Sequence, residues 1–180
     1  AGSDDGPFEG SKSFSYTGAV MTLPTGVQAR GENLYGNPDQ ALTYLQKMNR
    51  TFGFALPGSM YEVSPDYGMF AQAWNIYSYA VPIVRQFFGV EPDAASRTVS
   101  LQPHMPTDWD EASLKNVKVG DNVLSIYYQK SSTGEISLRV TQKDPGWSIH
   151  FLVPDGYQSE SSSPTTQKGE VLEIRFQPLN

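Results

Sequence analysis

The sequence predicts an α+β protein in which a helical part precedes an antiparallel β-sandwich. Between residues 37 and 88, apolar side chains either recur at helical spacing or form a run too long for a strand. From residue 91 onward, prolines interrupt helical continuation and short alternating or β-branched segments take over. The predicted divisions are a tail or linker over 1–16, a helical segment over 17–90 and a sandwich over 91–180.

Composition excludes several classes of function. The net charge of −6 and the pI near 4.8 argue against nucleic acid or an anionic membrane surface as partner. The chain has no cysteine, so disulfides and thiolate chemistry are excluded. Its two histidines, His104 and His150, are too few for a histidine-rich metal site and are interpreted as structural. We therefore expect no metal and no other cofactor.

Aromatic residues make up 12% of the chain against 18% charged residues. This balance suits a protein that handles neutral, ring-shaped ligands such as sugars, and it equally suits an aromatic-rich core. Polar residues and a proline interrupt the apolar run 69–88, so no membrane span is expected. No signal peptide is visible, but a mature exported chain would also lack one, and a periplasmic or secreted location is favoured over a cytoplasmic one.

Two short helices are predicted before residue 54. The first lies within 17–36, with Pro24 in its first turn and Gly36 at its end. Its inward residues are expected to be Val27, Leu34 and Tyr35.

The second helix is predicted by an Asn37 cap, Pro38 at the first position and Gln40 completing a capping box. Its apolar residues follow steps of three and four up to a terminal glycine: Leu42, Leu45, Met48, Phe52 and then Gly53.

A third helix is predicted over 69–88, bent at Pro82 and ended by Gly89. Apolar residues lie on nearly all of its faces, which is typical of a helix buried on all sides. So few helices precede it that they cannot surround it. We expect the β part, the rest of a larger helical barrel, or another chain or copy to cover it.

Six strands are predicted, over 98–102, 112–119, 122–130, 135–142, 148–154 and 171–177. Hairpin turns are expected at Gly120-Asp121 and at Ser132-Thr133-Gly134. In the strand 122–130, Leu124, Ile126 and Tyr128 lie on the face opposite Val123, Ser125, Tyr127 and Gln129, so one face is expected to be core.

Glu62 is the candidate functional residue. It stands in a short apolar and aromatic run, just before the turn over 64–68 and the third helix. A carboxylate presented on a loop at the mouth of a buried helix suits an active-site wall. Other interpretations stay open, because Glu62 could accept backbone N–H groups near a helix start, Trp74 could be core, and Asp66 could belong to a helix cap.

The segment from Glu62 to Arg85 resembles the last hairpin of the six-hairpin glycosidases. It is closest to the amylo-α-1,6-glucosidase (glycogen-debranching) group, with α-L-rhamnosidases and glucoamylases as more distant relatives. Glu62 matches the family glutamate, and Gln72-Ala73-Trp74-Asn75 matches the start of the following helix. The segments 23–26 and 36–41 resemble the preceding hairpin, and 88–93 with 99–103 resembles the passage from the barrel to a C-terminal β-sandwich. Two departures are Tyr61 in place of the family serine and a Val-Ser-Pro-Asp loop in place of Phe-Asp-Gly.

The resemblance implies an inverting glycoside hydrolase with carbohydrate as its ligand. Glu62 would be the general base, while the general acid would come from a hairpin that this chain does not supply. The implied sugar contacts are stacking by Trp74, Tyr67 and Tyr61 and hydrogen bonds from Asp66 and Gln72. The chain would then be a C-terminal portion of the enzyme and inactive alone.

The alternative is a non-catalytic carbohydrate-binding or interaction module whose helices dock on a partner chain. Trp109, between two aspartates, is either a sugar-stacking ring on the sandwich or the anchor of a loop.

Overall fold

The structure, a computed structural model, describes residues 21–49, 52–53, 56–63, 68–159 and 165–179. The fold is α+β, as predicted, and the chain divides into two compact units, Ala1–Ile83 and Val84–Asn180. The helices are α1 (Thr22–Leu34), α2 (Pro38–Met48) and α3 (Ala73–Val81), and a π-helix, Pro82–Phe87, follows α3 directly. The strands are β1 (Val90–Asp93), β2 (Thr98–Leu101), β3 (Glu111–Val119), β4 (Asn122–Lys130), β5 (Ile136–Gln142), β6 (Ser148–Phe151), β7 (Tyr157–Ser159), β8 (Thr166–Lys168) and β9 (Val171–Pro178). None of the helices in the described ranges is long and apolar enough to cross a membrane.

Helix α1 forms where predicted, but the predicted inward face is wrong. Val27, Leu34 and Tyr35 are 58%, 67% and 87% exposed. The buried positions instead follow one helical face of small and polar residues: Thr22, Gly26, Ala29 and Asn33. The reason is a close approach to α3, which selects the face with the smallest side chains rather than the most apolar one.

That approach is centred on Gly26. A Cβ atom built there would lie 2.3 Å from the Cβ of Ser78 and 2.4 Å from its carbonyl oxygen. Ser78 is itself buried, and its hydroxyl donates to the carbonyl of Trp74 at 2.7 Å. At this position the backbones of the two helices are in direct contact, which leaves no room for any side chain.

Helix α2 begins at Pro38 as predicted, and Ala41, Leu45 and Met48 form its buried face. The predicted capping box is wrong, because the Asn37 side chain makes no capping bond and donates instead to Glu32 Oε2 at 3.2 Å. The predicted end is also wrong. The helix stops at Met48, and the exposed Phe52 lies outside it.

The predicted third helix starts four residues late, at Ala73, and remains α-helical only as far as Val81. Pro82 has no N–H to donate, and the chain continues from it as a π-helix. Gly89 takes the left-handed conformation, with φ +63°.

The described residues of this chain do not bury the helix on all sides, and its cover by the rest of a barrel or by another chain stays a prediction. Trp74 and Tyr77 are 49% and 48% exposed, and the buried positions of α3 are the polar residues Asn75 and Ser78. The α1 contact uses the small polar face of α3, so the large rings are left on the outside.

The second unit is a sandwich-like pair of sheets, with strand orders β1-β2-β6-β8 and β3-β4-β5-β9-β7. Each of the six predicted strand segments contains a strand, and β4 has the predicted bounds. As predicted, Leu124, Ile126 and Tyr128 of β4 are buried. The other fully buried large side chains include Leu138, Ile174, Phe176, Trp147, Ile149 and Phe151.

Two expectations for the sheets are wrong. The pairing is not antiparallel throughout, because β2 and β6 pair in parallel with Val99 opposite Ile149. Strands β1, β7 and β8 were not predicted. Strands β7 and β8 have three residues each, too few for an alternating pattern to identify, and β1 contains Pro92, which argues against a strand in the sequence.

A buried polar network closes one end of this unit. Asn122 donates to Gln142 Oε1 at 2.9 Å, and Gln142 donates to the carbonyls of Trp147 and Gly169. The indole N–H of Trp147 donates to Asp121 at 3.0 Å. Each amide that is removed from water here is paired, so the network fixes the β3–β4 turn without an orphaned group.

Gly26→Ala should destabilise the helical unit by about 1–3 kcal/mol, because the added methyl group must separate two backbones in contact. Gly31→Ala is the matched control on the same helix. A Cβ there meets nothing within 4 Å, so this change should stabilise by roughly 0.5–1 kcal/mol. Denaturant unfolding followed by far-ultraviolet circular dichroism measures both. Equal changes in the free energy of unfolding for Gly26→Ala and Gly31→Ala would contradict the backbone contact between α1 and α3.

Tyr128 should ionise at a higher pH than an exposed tyrosine, and its ionisation should lower the free energy of unfolding. Burial raises the pKa of Tyr128 to about 12 from an ordinary value of 10.0, with smaller contributions from Tyr157 and Asp110. The folded state favours the neutral phenol, so its stabilisation is complete below pH 10 and is lost as the pH rises towards 12. The wild type should therefore lose stability relative to Tyr128→Phe across that window. A phenolate absorbance difference between the two proteins that titrates near pH 10 would contradict this.

Candidate functional site

Glu62 lies at a bend in a short segment, residues 60–63, whose two ends are held by three β-bridges. Met60 pairs with Phe52 and with Ala71, and Val63 pairs with Met21. Met60 and Val63 are buried, whereas Tyr61 and Glu62 between them are half-buried. The apolar ends therefore anchor the segment, and the carboxylate is carried on its more accessible middle.

A buried side-chain pair fixes the backbone on either side of Glu62. The hydroxyl of Thr22 lies 2.9 Å from Asn75 Oδ1 and 3.0 Å from the carbonyl oxygen of Tyr61. The Asn75 amide nitrogen donates to the carbonyl of Met60 at 3.1 Å, which sets the amide orientation. The backbone N–H of Thr22 donates to the carbonyl of Glu62 at 2.9 Å. Helices α1 and α3 thus both hold this segment through hydrogen bonds.

The Glu62 side chain lies close to the backbone of Gly68 and Met69. Its Oε2 accepts a long hydrogen bond of 3.4 Å from the N–H of Met69, and the Glu62 N–H donates to the Met69 carbonyl at 2.8 Å. A Cβ at Gly68 would lie 2.8 Å from Oε2, and Gly68 has φ +77°. Glycine is therefore required here both for its conformation and for the space that the carboxylate occupies.

The alternative that Glu62 accepts backbone N–H groups near a helix start is confirmed only in part. The side chain does accept a backbone N–H, but the donor, Met69, lies four residues before α3 begins at Ala73. The bond joins two segments that lie outside the helices and does not cap a helix. Glu62 is neither sealed from water nor fully exposed.

Aromatic rings flank the segment. Tyr61 packs edge-on against Phe70, with ring centroids 6.2 Å apart. Phe70 is exposed, and Trp74 and Tyr77 stand one turn apart on the outer face of α3. The Tyr77 hydroxyl accepts from Arg30 at 3.4 Å. Trp74 is thus not a core residue in the chain as described.

Gln72 occupies the residue before α3 in an extended conformation, with φ −114° and ψ +137°. Its Oε1 is buried and has no hydrogen-bond partner in the structure. Such an acceptor costs roughly 1–3 kcal/mol relative to a paired one. The remaining two predicted site residues, Asp66 and Tyr67, lie outside the described residues.

Trp109 and His150, the other candidates from the sequence, both contact residues of the second unit. Trp109 packs edge-on against Phe87 at 5.6 Å, so its interpretation as a loop anchor is confirmed. His150 Nδ1 lies 3.0 Å from the hydroxyl of Thr166, which joins β6 to β8. Within the described ranges, no group of three or more His, Asp or Glu side chains is arranged to hold a metal ion.

Sequence reasoning missed Thr22 and Asn75, which position the candidate base. Asn75 carried a usable signal, because a polar residue within an apolar run is either a break in the run or a buried hydrogen-bonding group. Thr22 carried none, since its partners lie about forty residues or more along the chain.

No protein-family model matches the chain, and no curated protein matches it significantly.

Thr22→Val should destabilise the helical unit by about 1–3 kcal/mol, because it keeps the shape of the side chain but leaves Asn75 Oδ1 without its donor. Thr43→Val is the control. The Thr43 hydroxyl bonds only to the exposed carbonyl of Asp39 in its own helix, and the change should alter stability by no more than about 0.5 kcal/mol. Thermal unfolding of both variants gives the comparison, and equal losses would show that the Thr22–Asn75 pair is not needed.

Proposed function

We propose that this chain is the C-terminal portion of an inverting glycoside hydrolase and supplies Glu62 as its general base. The observation that carries the proposal is the half-buried carboxylate on a segment fixed by hydrogen bonds from Thr22 and Asn75. The resemblance to six-hairpin glycosidases supplies the chemistry, and the contacts around Glu62 supply reasons why this residue suits it.

A general base for hydrolysis must hold one water molecule against the anomeric carbon, and it must be ionised to take the proton. Catalytic groups lose efficiency when their position varies by even half an ångström. The paired carbonyls of residues 60–62 restrict the backbone of Glu62 in this way. Partial exposure leaves a path for the attacking water.

The surroundings suit a sugar. Sugar rings present C–H faces that pack on aromatic rings, and their hydroxyl groups donate hydrogen bonds. Trp74 offers an exposed ring on α3, and Tyr61 offers a half-buried one next to Glu62. The unpaired Oε1 of Gln72 is an acceptor that a sugar hydroxyl would satisfy. Asp66 and Tyr67 complete the proposed contacts on the resemblance alone.

The general acid belongs to the part of the proposed barrel that precedes this chain. In an inverting enzyme the acid and base carboxyl groups stand about 6.5–9.5 Å apart, across the sugar ring. No other carboxylate of this chain matches a family position. The same remainder of the barrel, or another chain or copy, would cover the exposed apolar side chains within residues 69–88 and would leave Trp74 facing the sugar.

One observation favours the second candidate function, a non-catalytic carbohydrate-binding or interaction module. Glu62 Oε2 accepts from the Met69 N–H, which is what a purely structural glutamate does when it closes a loop. In that case the exposed rings of α3 carry the binding, and the carboxylate carries no chemistry. Turnover measurements separate the two functions.

Glu62→Gln in the full-length gene product should lower kcat on aryl glycosides by roughly 10²–10⁴-fold, because an amide cannot take a proton from water. The control is Glu32→Gln, which changes a carboxylate at the far end of α1 and should leave turnover unchanged. Added azide should restore turnover to Glu62→Ala, since this anion attacks without a base and yields a glycosyl azide. Unchanged turnover in Glu62→Gln would contradict the assignment of the base. The chain of residues 1–180 alone should show no hydrolysis.

A further inference from the structure

The outer face of the β3–β4 pair bears a cleft of about 500 Å³ in the second unit, far along the chain from Glu62. Its lining includes Glu111, Ser113 and Lys115 of β3 and Tyr127 and Gln129 of β4. The register places Ser113 opposite Tyr127 and Glu111 opposite Gln129, so these side chains share the solvent face of the sheet. Tyr127 is 38% exposed within an otherwise polar surface.

From this cleft we propose a second binding site, which takes a neutral oligosaccharide on the Tyr127 ring. The ring is the one large aromatic surface that the lining leaves accessible, because its neighbour Tyr128 points into the core. A sugar can pack a C–H face on this ring while its hydroxyls reach the Gln129 amide and the Ser113 hydroxyl. The site does not depend on Glu62 or on hydrolysis.

The charged residues in and around the cleft favour a neutral ligand. Glu111 and Lys115 are the two charged residues of the lining, and their charges cancel. The cations on the neighbouring strands are compensated, because Arg139 pairs with Glu173 and Arg175 pairs with Glu135. A phosphate or polyanion needs uncompensated cations, and an apolar ligand needs an apolar lining. A neutral ligand with many hydroxyl groups needs neither uncompensated cations nor an apolar lining.

The shape of β3 argues against a peptide strand as the occupant. A bulge interrupts the β3–β4 register between Leu114 and Val117, where Asn116 takes φ +59° and donates its N–H to the Ser125 hydroxyl at 3.1 Å. Bulges and lysines protect edge strands from pairing with other chains. Lys115 lies at this bulge, so the edge of β3 is closed to β-addition while its outer face stays open.

The test is affinity electrophoresis of the full chain through native gels that contain glycogen, galactomannan or xyloglucan, with heparin gels as the polyanion comparison. The wild type should be retarded by at least one neutral polysaccharide. Tyr127→Thr, which retains strand propensity, should weaken this binding by about tenfold, and Tyr127→Phe, which keeps the ring, should bind as the wild type does. Gln129→Thr provides a second variant that weakens binding and leaves the ring in place.

Two variants of the helical unit make the outcome independent of the proposed hydrolase. Tyr35→Thr changes an exposed aromatic residue outside the proposed sugar contacts and should be retarded as strongly as the wild type. Trp74→Ala tests whether sugar binding belongs to the helical unit instead. The inference is overturned if no neutral polysaccharide retards the wild type, if heparin alone does so, or if Tyr127→Thr and Gln129→Thr bind normally. It is also overturned if Trp74→Ala alone abolishes retardation, because sugar binding would then belong to the helical unit.

Discussion

The hydrogen bond between the Thr22 and Asn75 side chains is the interaction on which the helical unit depends. It joins the start of α1 to α3 in a place removed from water, where an unpaired amide or hydroxyl is costly. Each partner also bonds to the segment that carries Glu62, because the Thr22 backbone N–H donates to the Glu62 carbonyl and the Asn75 amide donates to the Met60 carbonyl. Two helices therefore fix the backbone that carries the carboxylate, while the carboxylate itself contacts Met69 and Gly68.

This polar contact requires the helices to approach closely, and the approach has a consequence for the rings. Gly26 and Ser78 allow backbone contact because neither contributes bulk to the interface. The face of α3 that meets α1 is consequently small and polar, and Trp74 and Tyr77 point away from it. The same packing thus explains both the fixed backbone at Glu62 and the exposed rings on the outer face of α3.

The parts of the fold that follow from local patterns could be predicted from sequence. Strand β4 alternates cleanly, and its bounds and buried face were predicted. In α2 the first residue and the burial of Leu45 and Met48 were predicted from helical spacing, whereas Leu42 is only half-buried and Phe52 lies outside the helix. The face of α1 could not be predicted, because Thr22 is buried and Val27 is exposed, against the usual preference of each. For the candidate site, sequence indicated Glu62 and the nearby Trp74. The residues that hold Glu62 act across long separations, which no local pattern records.

The parallel pairing of β2 with β6 sets an order of assembly. Strands β3, β4 and β5 are joined by short hairpins and can pair as soon as they leave the ribosome, whereas β2 finds β6 only after all three have been made. Until then the β1–β2 hairpin has an unpaired edge that must remain soluble during translation. A chain that ended before β6 would keep that edge of β2 unpaired.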